Sequence, residues 1–282
     1  MIVNYRSYAE ITLCLESLYG ALASDVEVIV IDHETDATGA ATLMQQFPWI
    51  RLIEVSENPG FAAGVNHGAR VARGEYLLLI NPDCIVNNDA PHTLATWMVG
   101  HPRVGVCGAQ VRELDGTVQA SARRFPNPTT GLAGRTSWLT RNWPNNPFSA
   151  WNLMRVEGDQ TVDVDWVSGA CMMIRRAAFD EVGGMDEQFF LYWEDADLCR
   201  RLYTNGWKTV YNPAASVTHL TSRSSQQAPV ESLKAFHRSA FRYFLKHGGR
   251  GARAAAPFVF AALQVRLAVK LATLKLVNGQ RH

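Results

Sequence analysis

The sequence predicts an α/β fold: a Rossmann-like, mainly parallel sheet flanked by helices, with a C-terminal helical extension. Two observations carry this. Apolar, β-rich runs at residues 1–5, 26–31, 50–55 and 76–80 alternate with segments of helical periodicity, as parallel strands joined by crossover helices do. The run Tyr76-Leu-Leu-Leu-Ile80 has no polar interruption, which suits a strand buried on both faces.

The elements follow in order. Residues 10–22 place Ile11, Leu15, Leu18 and Leu22 on one helical face, and residues 60–73 form a second crossover helix after the turn Asn58-Pro59-Gly60. The buried strand stops at Asn81-Pro82-Asp83, and ligands of open α/β sheets gather beyond such carboxyl ends. Residues 125–150, with Pro126, Pro128, Pro144 and Pro147 among small polar residues, read as a long loop able to serve as a lid. A second ordered block covers 162–217, and the pattern turns helical from Ser232.

The 282 residues are 47% hydrophobic and 19% charged, a balance that excludes a disordered chain and an integral membrane bundle. Five cysteines without close pairs exclude a disulfide framework and a zinc knuckle, so reduced thiols in a cytoplasmic protein are expected. No basic stretch followed by an apolar one opens the chain, so no signal peptide is expected. Charge is uneven: residues 230–282 hold ten Lys/Arg against Glu231, a balance of +9, which leaves −8 for the rest of a chain of net charge +1. A cationic tail of this kind suits an anionic surface.

Four clusters could carry chemistry. Asp83, at a strand tip, is placed to bind a divalent cation that neutralises a diphosphate; an ordinary turn carboxylate is the alternative. Asp32 leaves the 26–31 strand, where it could accept a hydrogen bond from a base or ribose or cap the next helix. Gly60, Ala62, Ala63 and Gly64 permit close backbone approach to an anion, but the spacing is not the G-x-G-x-x-G dinucleotide fingerprint, and tight helix packing explains the glycines equally. In the segment 186–201, four aromatics precede Glu194, Asp195 and Asp197 in the first turn of a helix. The helix dipole accounts for one or two of these acids. A carboxylate walled by Phe189, Phe190, Tyr192 and Trp193 is also suited to take a proton from a hydroxyl. His219, near Arg223, is either structural or faces a phosphate or metal.

In this order the segments resemble the family 2 glycosyltransferases, most closely the bacterial rhamnosyltransferase-like branch. The resemblance covers residues 1–225. It rests on Ile2-Val-Asn-Tyr-Arg-Ser7, the acid Asp32, the run NPGFAAGVNHGARVARGEYLLLINPD, the run VSGACMMIRRAAFDEVGGMDEQFFLYWEDADLCRR, and His219. It implies a GT-A catalytic domain over 1–225 and a basic amphipathic tail over 226–282. The implied reaction is inverting transfer of a sugar, rhamnose by the closest branch, from a dTDP- or UDP-sugar to a glycan or lipid-linked acceptor, with Mg2+ or Mn2+ as cofactor.

Residue by residue, Asp83 looks like the metal-binding acid of the DxD-type motif, with Asn81 where many members carry Asp. His219 looks like a further metal or diphosphate ligand. Asp195 resembles the catalytic base of the ED motif, supported by Glu194. Asn4, Arg6, Asp32, Asn58, Gly60, Gly64, Asn66 and Arg223 fall on the nucleotide-sugar side, and Gly169 and Ala170 on the floor between donor and acceptor. No nucleic-acid partner is implied. A catalytically silent sugar-nucleotide-binding scaffold is the competing reading, opposed by the intact Asp83 and Asp195.

The apolar stretch 257–277 is interrupted by Arg266, Lys270 and Lys275, which argues against a bilayer crossing and for a helix lying on the inner leaflet. Packing on the catalytic domain or in a homodimer is the alternative.

Overall fold

The computed structural model describes residues 1–20, 26–126, 142–143, 160–220 and 229–279. The predicted opening elements are present. Strands β1 (Ile2–Tyr5), β2 (Val28–His33) and β3 (Ile50–Val55) pair in parallel, and helices α1 (Tyr8–Tyr19), α2 (Ala37–Gln46) and α3 (Phe61–Val71) make the crossovers. The apolar face read in α1 is buried through Ile11, Leu15 and Leu18. Strand β4 (Tyr76–Ile80) lies beside β1, where the Met1 amine donates to the Leu78 carbonyl and the Ile80 N–H donates to the Met1 carbonyl.

The second half departs from the parallel pattern. Its elements are β5 (Cys84–Asn87), α4 (Ala90–Val99), β6 (Val104–Arg112), β7 (Ala122–Arg123), β8 (Val162–Val164), β9 (Trp166–Val167), β10 (Cys171–Arg175), α5 (Arg176–Glu181), α6 (Glu194–Thr204) and β11 (Lys208–His219). The sheet order is β4-β10-β6-β11-β5, with β8 on β11, and only β6–β11 is parallel. Strands β10, β5 and β8 run opposite to β4, β6 and β11, so this half is a mixed sheet joined to a parallel one. Two apolar layers enclose it, one from α1 and α4 (Leu15, Leu94, Met98) and one from α3, α5 and α6 (Val65, Phe179, Leu198).

Small residues of α3 let it sit directly on the sheet. A Cβ on Gly64 would fall 2.8 Å from His33 and Val3, and one on Gly68 would fall 2.8 Å from Ile31. All five cysteines are buried free thiols, and burial pushes those of Cys14, Cys107, Cys171 and Cys199 up to about 12.

Past β11, α7 (Pro229–His247) and α8 (Ala252–Gly279) form a helical hairpin. Helix α7 packs on the catalytic body rather than standing off as a tail: Ser239 Oγ donates to the Leu191 carbonyl, and Lys246 and His247 both reach Asp197. Arg223 and nearly all of the loop expected at 125–150 lie outside the described residues.

Candidate active site

The chain enters α6 through two consecutive left-handed aromatics, Tyr192 (φ 67°) and Trp193 (φ 72°). Such conformations each cost on the order of 1–3 kcal/mol and persist only where surrounding packing dictates them. Helix α7 supplies that packing: the Trp193 ring lies 5.6 Å from Phe236 and 5.3 Å from Tyr243, and the Tyr192 ring 5.8 Å from Phe236. The turn aims Asp195 back at the sheet. Its Oδ2 accepts from the Gly169 N–H at 3.1 Å and its Oδ1 from the Ala196 N–H at 2.7 Å. Burial raises the Asp195 carboxyl above its ordinary range, opposed by those two amide groups, and raises the buried Glu194 further, with the Asp195 charge adding to the effect.

The third acid of that turn does other work. Burial alone would push Asp197 up, but His247, Lys246 and Arg201 outweigh it and bring the carboxyl to about 2. Arg201 Nε stands 2.8 Å away and its Nη1 donates to the carbonyls of Val182 and Gly184. Asp197 therefore anchors α7 and the 182–184 turn onto α6.

From Asp195 the backbone leads directly to the second acid. Gly169 holds Asp195; the next residue, Ala170, accepts from the Asn81 N–H at 2.9 Å; and Asp83 follows two residues later. Asp83 is buried, and its Oδ1 lies 3.1 Å from Nε2 of His219, 136 positions away in sequence. Strand pairing imposes the meeting, because β11 is registered against β5 with His219 opposite Cys84. Asp83, Cys84 and His219 offer ligand atoms within 4.8 Å of one another. The Cys84 thiol is held far above its usual pKa by burial and donates to the Ala170 carbonyl, so it stays protonated. That leaves a carboxylate and an imidazole, an O/N donor pair that suits Mg2+ or Mn2+ completed by phosphate oxygens.

Sequence reasoning missed Gln119, whose Nε2 lies 3.2 Å from His219 Nδ1 and donates to Glu113 Oε1 at 2.7 Å. It precedes a two-residue strand in a stretch without periodicity, and nothing local marks it.

Near the end of β2, Asp32 is buried; its Oδ1 accepts from Asn4 Nδ2 at 2.6 Å and its Oδ2 from the Tyr8 hydroxyl at 2.5 Å. It does not cap α2; Asp36 does, accepting from the Gly39 N–H. Arg6 pairs with Glu34 at 2.5 Å on the rim. Asn58 Oδ1 accepts from the Gly60 N–H, and its side chain also hydrogen-bonds His33, whose ring burial keeps neutral by lowering its pKa.

Three of the expected nucleotide contacts also make packing contacts within the protein. Gly60 (φ 98°) is buried, and a Cβ there would meet the Phe190 carbonyl oxygen at 2.5 Å; Gly64 is buried against His33 and Val3. Asn66 binds the Met185 backbone in both directions and Glu187, tying α3 to the 183–187 turn. At both glycines protein atoms occupy the space that a side chain would need.

A parallel β1–β2–β3 half joined through β4 to a mixed sheet and covered by helices makes a GT-A fold. Solved structures share the fold. The mannosyltransferase PcManGT from Pyrobaculum calidifontis, in complex with GDP-Man and Mn2+, aligns with TM-score 0.60 at 15% identity, covering 99% of this chain and 78% of that one. S. aureus TarS aligns with TM-score 0.55 at 17% identity over 86% of this chain and 39% of that one.

The family is shown by sequence: the model described as "Glycosyltransferase like family 2" matches residues 1–242, and the chain belongs to that family. The match runs past 225 into α7, in keeping with the packing of that helix. Similar relatives include the N-acetylglucosaminyl-diphospho-decaprenol L-rhamnosyltransferase of Mycobacterium tuberculosis (strain ATCC 25618 / H37Rv), 33% identical over 88% of this chain and 84% of that protein. Rhamnosyltransferase WbbL of Escherichia coli (strain K12) is 27% identical over 65% of this chain and 67% of that one.

Proposed function

We propose that this chain is an inverting, metal-dependent rhamnosyltransferase that transfers rhamnose from a nucleoside-diphosphate sugar to a hydroxyl of a glycan or lipid-linked acceptor at the cytoplasmic face of the membrane, in cell-surface polysaccharide synthesis. The observation that supports it is the short backbone path from Asp195, our assigned proton acceptor, through Gly169 and Ala170 to Asn81 and Asp83, our assigned cation ligand. The mycobacterial relative, named for a lipid-linked acceptor and for rhamnose, supports the choice of sugar and acceptor class.

Asp83 and His219 would hold the cation, which when bound neutralises charge on the leaving diphosphate. The remaining work belongs to the chain. Asp195 accepts the acceptor's hydroxyl proton on a carboxylate oxygen as that oxygen attacks the anomeric carbon, a single displacement that inverts the centre. The amides of Gly169 and Ala196 fix the carboxylate, and its raised pKa makes it a stronger base than a solvated Asp. Glu194, buried beside it with Oε2 lacking a hydrogen-bond partner, favours its protonated form, so a second negative charge does not crowd the base. Asn4 and Tyr8, each donating to one carboxylate oxygen, fix the orientation of Asp32, the residue we assign to the nucleoside.

Transfer by Asp195→Asn beside wild type, with a dTDP-sugar and Mn2+, tests this. We expect a loss of about 10²–10⁴-fold in turnover with the melting profile retained. The acid limb of kcat/KM in wild type should lie above the ordinary carboxylate range, because a carboxyl raised by burial must be ionised to act. Turnover at background in both proteins would assign the chain to the scaffold reading, and equal turnover above background would remove Asp195 as the base.

A further inference from the structure

We propose that the outward face of α8 is a membrane-docking surface that lies flat in the headgroup region of an anionic bilayer. The inference rests on the glycosyltransferase reading only for the acceptor being lipid-linked; the surface is argued from the helix itself.

In sequence, Arg266 and Lys270 interrupt an apolar stretch. The structure removes the interruption, because both turn toward α7: the Arg266 guanidinium stands 5.5 Å over the Phe236 ring, and both residues are only half-exposed. The face left outside carries Phe258 (79% exposed), Val265 (65%) and Val269 (59%), and no exposed residue between Arg253 and Lys275 is charged. At 1.5 Å per residue the uncharged face is about 30 Å long. Arg250 and Arg253 bound one end and Lys275 the other.

The 252–275 stretch is long and apolar enough to cross a bilayer, and none of its apolar window is buried. Its partner helix decides against crossing. Helix α8 runs along α7, with Phe260 on Phe241, and α7 carries Lys234, Arg238, Arg242 and Lys246 and is bound to the catalytic body through Asp186, Asp197 and Leu191. A spanning α8 would draw those charges into hydrocarbon. An in-plane helix buries its apolar face and leaves α7 above it.

Charge selects lipid over a second copy. The hairpin's one acid among described residues, Glu231, is taken by Lys234 at 2.8 Å. Two α8 helices packed antiparallel would set Arg250 and Arg253 of one against Lys275 of the other, whereas anionic headgroups complement all three.

Flotation of the full-length protein with vesicles of phosphatidylcholine alone, and of phosphatidylcholine with phosphatidylglycerol in equal parts, tests the surface. Wild type should float with the anionic vesicles. Val265→Glu/Val269→Glu should lower that partitioning by at least about tenfold while keeping its circular-dichroism melt and its sugar-nucleotide turnover without vesicles. Wild type left in the soluble fraction, or a double variant floating equally well, overturns the proposal. A dimer that the double substitution converts to monomer on size-exclusion chromatography also overturns it and assigns the face to a second copy. Asp195→Asn should float as wild type does, so docking and catalysis fail or survive separately.

Discussion

The two regions that carry the candidate acids are built differently. At the proposed nucleotide and cation end, Asn4, Asp32 and Asp83 sit at or just beyond strand tips, and register does the placing: Asn4 lies opposite Asp32, and His219 opposite Cys84. The left-handed residues at that end, Arg6 and Glu34, are paired with each other on the rim. At the proposed base end the left-handed residues are two large aromatics directly before Glu194 and Asp195, clamped by a helix more than 30 positions further on. A sheet positions charged groups at little strain. A base aimed from a helix start needs a tertiary brace, so the base end should be the more sensitive to distant changes.

Asp197→Asn is the strongest challenge to that contrast. It leaves Arg201, Lys246 and His247 facing a neutral group, and removing one partner of a buried ionic cluster costs about 3 kcal/mol or more. Turnover should fall with it as α7 loosens from Trp193. Because the folded carboxyl lies at about 2, its contribution is complete above the unfolded value of about 3.9 and fades as pH falls toward 2. Urea melts of wild type should weaken across that window, and those of the variant should lack this portion. A variant as stable as wild type would remove the brace from the account.

Gln119→Leu probes the cation end. Outer-shell partners of ligating histidines contribute about 10–100-fold in metal affinity, so Mn2+ binding measured calorimetrically should weaken by that order while the melt changes little. An unchanged isotherm would show that strand register alone orients His219.

Tyr8→Phe should have the smallest effect. It removes one hydrogen bond from Asp32 and leaves the Asn4 bond, for a loss of about 1 kcal/mol or slightly more in thermal unfolding. A cost as large as that of Asp197→Asn would mean the nucleotide end is braced as tightly as the base end.

By itself the sequence determined the crossover helices, the strands that carry Asp32 and lead to Asp83, the start of α6 at Glu194 and the family, because apolar periodicity and turn residues are local signals. It marked Asp83, Asp195 and His219 as candidates without bringing them together. It left open what the α3 glycines pack against, what each of three neighbouring acids contacts, and which side of α8 its cations occupy. Tertiary structure decided these. Asp195 and Asp197 have similar local sequence, but Gly169 reaches one while Lys246 and His247 reach the other. Arg266 and Lys270 interrupt α8 along the chain yet leave its outer face uncharged, because a side chain's surroundings are set by what packs against it in space.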